Sequence, residues 1–122
     1  MKMQPDVTYY LDKLNKSKFR RGFRLSQPDY LYIQKTGIAA ISSHAKEFLD
    51  VRLSPANPKN DGKQTPFKNH PVFIAQHATA TCCRKCLNKW YGIPKGQLLT
   101  ALQVDFCIEL IMTWIVIQLD SM

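Results

Sequence analysis

The residues best suited to chemistry are cysteines and histidines grouped in the middle of the chain. The segment HPVFIAQHATATCCRKC places His70, His77, Cys82, Cys83 and Cys86 within seventeen residues. Zinc in proteins prefers four nitrogen and sulfur ligands in a tetrahedron, and a Cys-x-x-Cys pair at the start of a helix can direct two sulfurs at one ion. We therefore predict zinc as a cofactor, with His70, His77, Cys83 and Cys86 as ligands and Cys82 as a substitute ligand.

The same residues also have an interpretation that involves no metal. Cys83 and Cys86 would then be small buried side chains on one helix face, and His70 would cap a turn before Pro71. A single Cys-x-x-Cys pair is only moderately specific for metal, so this interpretation stays open beside the zinc site.

Catalysis is a further alternative, with His77 as the catalytic residue. A small metal-dependent hydrolase would use His77 as a base near the ion, and a nucleophilic mechanism would use it to activate Cys82 or Cys83. A zinc deaminase is disfavoured because His77-Ala78-Thr79 lacks the carboxylate of the His-x-Glu step. A thiol oxidoreductase is disfavoured because no βαβ pattern precedes the cysteines.

The chain is basic, which favours a polyanionic partner. It has 17 Lys and Arg residues against 9 Asp and Glu residues, a net charge of +8, and every basic residue lies before residue 97. In the segment KSKFRRGFR, cations alternate with Phe19 and Phe23, which suits phosphate contacts and base stacking, although a place in the core is favoured for the two rings themselves. We predict contact with DNA or RNA through seven residues: Lys16, Lys18, Arg20, Arg21, Arg24, Arg84 and Lys85.

The elements that must position these residues are mainly helices. Apolar periodicity and terminating residues predict five of them. Their ranges are 7–15, 27–36, 38–53, 83–91 and 101–119. We assign Asp6 as the N-cap of the first, and Thr100 with Gln103 forms a capping-box pattern at the last.

The segment before the cysteines has a different character. Residues 54–70 are rich in proline and turn formers and predict a loop, and the run Pro71 to Ala75 predicts a short strand. A chain of 122 residues has the length of one domain. The expected fold is therefore a single domain, residues 1–122, mainly α with a small irregular or two-stranded β element around residues 64–82 (α+β), carrying a treble-clef-like metal site.

Neither end of the sequence predicts a membrane segment. The N-terminal residues MKMQPDVTYY have no apolar stretch of a secretory signal, so we expect a cytoplasmic protein. The apolar last helix contains Gln103, Asp105 and Glu109, which are costly in a bilayer. Its apolar surface, including Trp114, Ile115 and Ile117, predicts either a core position or a homodimer interface.

Several motifs resemble one known family. The runs NDGKQTP, HPVFIAQHATATCCRKCLNKW and GIPKG are similar to those of the uncharacterised bacterial family called domain of unknown function 4186. The similarity covers roughly residues 18 to 118, which divides the domain into an N-terminal extension, residues 1–15, and a family-like core, residues 16–119. The resemblance implies a small intracellular protein of a family without an established activity.

A second, weaker similarity is to treble-clef and HNH-like metal sites. These often end in Cys-x-x-Cys-His-x-x-x-His on a helix, and the corresponding residues here are Cys83, Cys86, Leu87 and Tyr91. Because Leu87 and Tyr91 stand at the two histidine positions, the similarity implies a zinc-stabilised binding module more strongly than an HNH-like nuclease.

Overall fold

The computed structural model describes residues 7–122 and is helical, with no strand anywhere in that range. Its elements are α1 (Val7–Leu14), α2 (Lys18–Arg21), α3 (Gln27–Thr36), α4 (Ile38–Phe48), a π-helical segment (Leu49–Leu53), α5 (Pro71–Ala78), α6 (Arg84–Tyr91) and α7 (Ala101–Asp120).

The predicted strand and two-stranded element are wrong, because Pro71–Ala78 forms helix α5. His70 is its N-cap and Pro71 opens its first turn, which is the usual position of proline in a helix. This helix is almost completely buried, so apolar residues occupy nearly all of its sides. Without a polar face, a short apolar segment shows neither the helical nor the strand periodicity, and its sequence alone cannot distinguish the two. The fold is therefore α rather than α+β, and residues 7–122 contain no hairpin from which a treble clef could be built.

Local signals fixed the ends of the other helices. Ser26 and Asp29 form a capping box at α3, and Thr100 and Gln103 form the predicted one at α7. Gly92 ends α6 in the left-handed conformation that glycine adopts most easily. The predicted N-cap Asp6 lies outside the described residues.

The long helix α7 is the centre of the domain and packs against α1, α4 and α5. One face of it is buried in the core together with residues of α3 to α6. Its innermost residues are Cys107, Leu110, Ile111 and Ile115, all 0% exposed. Helix α5 and the turn that carries Cys82 and Cys83 are buried as well, since every residue from 71 to 84 is buried except the half-buried Ile74.

Length and apolar composition would also allow α7, alone among the helices of residues 7–122, to cross a membrane. A long core helix meets the same two criteria, and α7 has core contacts on three neighbouring helices. Of the residues predicted for a homodimer, Ile115 belongs to the domain's own core, Trp114 is half-buried and Ile117 is 51% exposed.

Candidate metal centre

A buried turn between α5 and α6 positions the cysteines. Gln76 and Thr81 bond reciprocally across it, because the Gln76 side chain donates to the Thr81 carbonyl and the Thr81 amide donates to the Gln76 carbonyl. Ala80, at the centre of the turn, is fully buried and has a φ of 59°, a left-handed conformation unusual for a residue with a Cβ. The turn places Cys82 and Cys83 immediately before α6, with Cys83 as the N-cap of that helix.

The three neighbouring cysteines converge at this point. The Sγ atom of Cys86 lies 3.3 Å from that of Cys83 and 3.6 Å from that of Cys82, and all three sulfurs lie within 4.8 Å of one another. Cys83 is the N-cap of α6, and its sulfur accepts the backbone N–H of Cys86. Cys82 and Cys83 are buried and Cys86 is half-buried.

This geometry fits a metal ion held by sulfur. Zn–S bonds of about 2.3 Å in a tetrahedron separate the sulfurs by about 3.8 Å, close to the spacing of Cys82, Cys83 and Cys86. All three cysteines are free thiols. The cluster could therefore hold a soft ion, and Cys82, predicted as a substitute ligand, belongs to it on the same terms as the other two.

Arg20 of α2 is the cluster's charged neighbour. Its guanidinium donates to the Cys86 sulfur at 3.3 Å and to the Cys82 sulfur at 3.8 Å, and also to the His77 carbonyl at 2.7 Å. The Phe19 ring lies 4.9 Å from the guanidinium carbon and the Trp90 ring 6.0 Å. Arg20 was predicted to bind nucleic acid, but it is only 9% exposed and points inward at the sulfurs.

The environment makes Cys86 the most acidic of the three thiols. Hydrogen bonds from the Cys82 and Cys83 thiols, followed by the bond from Arg20, lower the pKa of Cys86 to about 2. The pKa of Cys82 is raised, first by its hydrogen bonds to its two neighbours and then by burial. Negative charge on the cluster therefore resides first on Cys86, opposite the Arg20 guanidinium.

His77 lies near the cluster but is not one of the three convergent ligands. Its Nε2 donates to the carbonyls of Thr65 and Pro66 at 3.0 and 3.1 Å, so the ring proton is on Nε2 and the lone pair is on Nδ1. The ring stacks on Phe67 with centroids 3.8 Å apart. Burial lowers the pKa of His77, and as the predicted catalytic base it could accept a proton only at Nδ1.

His70 belongs to a different part of the molecule. Its Nδ1 accepts the Val72 N–H as the N-cap of α5, and its Nε2 lies 3.1 Å from Nδ1 of His44. Because Nδ1 is an acceptor, the ring proton is on Nε2 and is donated to His44. Neither nitrogen of His70 is free for a metal in this arrangement, and the capping interpretation describes its position.

Arg84 was also predicted to contact nucleic acid, but it is 1% exposed. Its guanidinium donates to the carbonyls of Pro55, Pro94 and Gln97 at 2.7, 2.9 and 2.6 Å, with longer bonds to those of Leu53 and Ser54. It thus ties the loop after the π-helical segment to the loop before α7.

The other five predicted cations are on the surface. Exposed side chains are found at Lys16, Lys18, Arg21, Arg24 and Lys85. Of the phenylalanines among them, Phe23 is half-buried but Phe19 is 57% exposed, so the core position expected for Phe19 is wrong. Its ring packs edge-on against Phe23 at 5.2 Å instead of entering the core.

The loop at residues 60–66 is hydrogen-bonded to the cysteine turn and to the start of α6. Asp61 accepts the backbone N–H of Arg84 at 3.0 Å, which places a carboxylate at the N-terminus of α6. Thr65 donates its hydroxyl to the Cys82 carbonyl at 2.7 Å. The segment NDGKQTP therefore stabilises the cysteine turn through these side-chain hydrogen bonds.

Two contributors to this region have no clear signal in the sequence. Arg20 was predicted to lie on the surface, but it meets Cys86 across 66 positions, and the Phe67 ring meets those of His77 and Phe23 only in the folded chain. The only local signal for Arg20 was its place among aromatic residues, which also fits an exposed patch.

Comparison with known families agrees with the motifs. The model described as "Domain of unknown function (DUF4186)" matches residues 8–116, a range that begins within the segment assigned above as an N-terminal extension. No solved structure matches the chain. At the two positions where HNH-like sites have histidine, Leu87 is fully buried in the core and the Tyr91 hydroxyl donates to the Thr79 carbonyl.

Proposed function

This chain belongs to the DUF4186 family, and from that premise we propose that it is a zinc-binding cytoplasmic domain. The observation that carries the proposal is the convergence of the Cys82, Cys83 and Cys86 sulfurs beside Arg20. In the reducing cytoplasm such thiols bind metal in preference to forming disulfides.

Charge supports zinc at this position. Three thiolates around one Zn²⁺ carry a net charge of −1, and a buried negative charge needs a partner. The Arg20 guanidinium supplies that charge and directs N–H groups at two of the sulfurs. When bound, zinc would supply a fixed coordination centre that joins the cysteine turn to α6.

We propose His77 as the fourth ligand, through Nδ1. Because its ring nitrogens lie outside the group of atoms within 4.8 Å of one another, the side chain would move toward the sulfurs when the metal binds. Histidines that bind metal usually donate their other ring N–H to a carbonyl or carboxylate, as Nε2 of His77 does to Thr65 and Pro66. The alternative histidine, His70, uses both of its nitrogens elsewhere.

Elemental analysis of protein purified without chelator tests the site. We expect about one zinc per chain, and less than a tenth of that in Cys86→Ser. His77→Ala should lower zinc affinity, whereas His70→Asn should leave it unchanged. Protein without stoichiometric zinc, or with iron or copper in its place, would overturn the proposal.

A second proposed function is contact with a polyanion, DNA or RNA above all. The observation that favours it is that Lys18, Arg21 and Arg24 line one surface depression. Counterion release predicts that binding weakens steeply with salt, by about tenfold or more between roughly 50 and 200 mM. Absence of binding to any nucleic acid at low salt would exclude it.

A further inference from the structure

Two shallow depressions share the exposed side chain of Arg24. The first is lined by Lys18, Arg21 and Arg24, and the second by Arg24 and Lys68 among its residues. Because Arg24 contributes to both, four exposed cations form one continuous track from α2, through the segment that follows it, to the loop before α5.

The cations of this track are not neutralised by carboxylates of the described chain. Within residues 7–122 the ion pair that forms joins Lys46 of α4 to Asp50 of the π-helical segment, and it involves no cation of the track. Asp29 also lines the second depression, where its carboxylate accepts the N–H and hydroxyl of Ser26 in the capping box and keeps its negative charge. With four cations against this one carboxylate, the track carries a net positive charge and attracts anions.

Two aromatic residues are chain neighbours of cations in this track. Phe67 precedes Lys68 and is 61% exposed, although its ring is stacked on His77 at 3.8 Å with an interplanar angle of 8°. Phe23 precedes Arg24 and lies nearly parallel to Phe67 at 6.3 Å. His77 thus holds the Phe67 ring in a fixed orientation while most of that residue remains exposed to solvent.

From this juxtaposition of rings and cations we infer that the track binds single-stranded nucleic acid, with Phe67 as a stacking platform for a base. Every base has a π-face, so stacking on a fixed ring beside cations that contact phosphates gives binding with little sequence preference. The bases of a duplex are already stacked on one another and cannot reach the ring. This inference rests on the proposed polyanion contact and names its partner.

Fluorescence anisotropy with the 122-residue protein, purified without chelator, tests it. The probes are fluorescein-labelled oligo(dT) and oligo(U) of about 12 nucleotides, and a duplex of the same length. Inorganic polyphosphate serves as a competitor that has charge but no bases. We expect both single strands to bind at least about fivefold more tightly than the duplex, since only unpaired bases can stack.

Variants separate stacking from charge. Phe67→Ala should weaken single-strand binding by about tenfold without changing the affinity for polyphosphate, and Phe67→Tyr should restore it. Leu102→Ala is the matched control, because Leu102 is 63% exposed but lies on α7, outside both depressions. Arg21→Ala with Arg24→Ala should weaken all four ligands.

The outcomes distinguish the inference from the function on which it rests. If Phe67→Ala has no effect while the arginine variant weakens every ligand, the polyanion function stands and the single-strand inference is overturned. If the duplex binds as tightly as the single strands, the inference is overturned likewise. If no probe binds at low salt, both fail. Circular dichroism confirms that the variants are folded.

Discussion

Two buried arginines have different kinds of hydrogen-bond acceptor around them. Arg84 is 1% exposed and donates to five backbone carbonyls, whereas Arg20 is 9% exposed and donates to one carbonyl and two cysteine sulfurs. Both are charged groups inside a small domain, and both connect helices to distant segments. The partners of Arg84 are neutral carbonyl dipoles, whereas two of the partners of Arg20 are thiols that can ionise.

Carbonyl dipoles can satisfy Arg84 without any ionised partner. Its Nε alone, among its nitrogens, has no hydrogen-bond partner within residues 7–122. The Arg20 guanidinium faces the Cys86 sulfur, the most acidic of the three thiols, so a thiolate compensates its charge, and a bound metal would keep all three sulfurs ionised. The charge of Arg84 is thus held by carbonyl groups of the chain itself, whereas Arg20 faces a group of sulfurs that could hold a metal ion.

The largest effect is expected at Arg84. Arg84→Met leaves the carbonyls of Pro55, Pro94 and Gln97 without their donors, and we expect the free energy of unfolding to fall by about 3–5 kcal/mol. Urea denaturation of zinc-free protein measures this. A loss below about 1 kcal/mol would show that the loops do not depend on the guanidinium.

Removal of metal should have the next largest effect. With free zinc about a hundredfold above its dissociation constant, Cys86→Ser should lower the free energy of unfolding by about 3 kcal/mol relative to wild type. Chelated wild-type protein should match the variant. Cys107→Ala is the control, because burial raises the pKa of Cys107 to about 12 and its thiol lies in the core. A loss of zinc in that control would contradict the assigned site.

At Arg20 we expect a larger effect on metal affinity than on stability. Arg20→Met should weaken zinc binding by about 10- to 100-fold, because the thiolate cluster loses its compensating charge, and Arg20→Lys should recover part of it. The free energy of unfolding without zinc should fall by about 2 kcal/mol, less than for Arg84→Met. Competition with a chromophoric chelator measures the affinity, and Arg21→Met is the exposed control. Equal zinc affinity in Arg20→Met and wild type would remove the contrast between the two arginines.

The smallest expected effect is a pH dependence of stability caused by His70, whose side chain caps α5. Burial, followed by the nearby His44, lowers the pKa of His70 from 6.5 to about 4. The unfolded chain therefore takes up this proton first, and stability should fall as the pH drops from about 6.5 to about 4. We expect a loss of about 1 kcal/mol, reduced by solvent screening of the half-buried ring.

His70→Asn keeps a capping side chain and removes the titration. Its stability should change less than that of wild type over the same pH range in denaturation experiments on zinc-free protein. A curve parallel to wild type would assign the pH dependence to another group.

Much of the fold could be predicted where the signal is local. The capping residues at Ser26 and Thr100 and the glycine at position 92 set helix ends through their own backbone and side-chain bonds. The sequence failed at Pro71–Ala78, because a buried helix has no polar face and its apolar run resembles a buried strand. His70 followed by Pro71 was the signal that could have identified the helix start.

The candidate site divides in the same way. Cys82, Cys83 and Cys86 are so close in the sequence that a turn entering a helix brings their sulfurs together, and their residue types alone indicate a soft metal. Tertiary structure decided which other residues join them. It brought Arg20 to the sulfurs across more than sixty positions and turned His70 away to cap α5. Such long-range contacts form because the helices pack against one another in the core, and the spacing of residues along the sequence does not predict them.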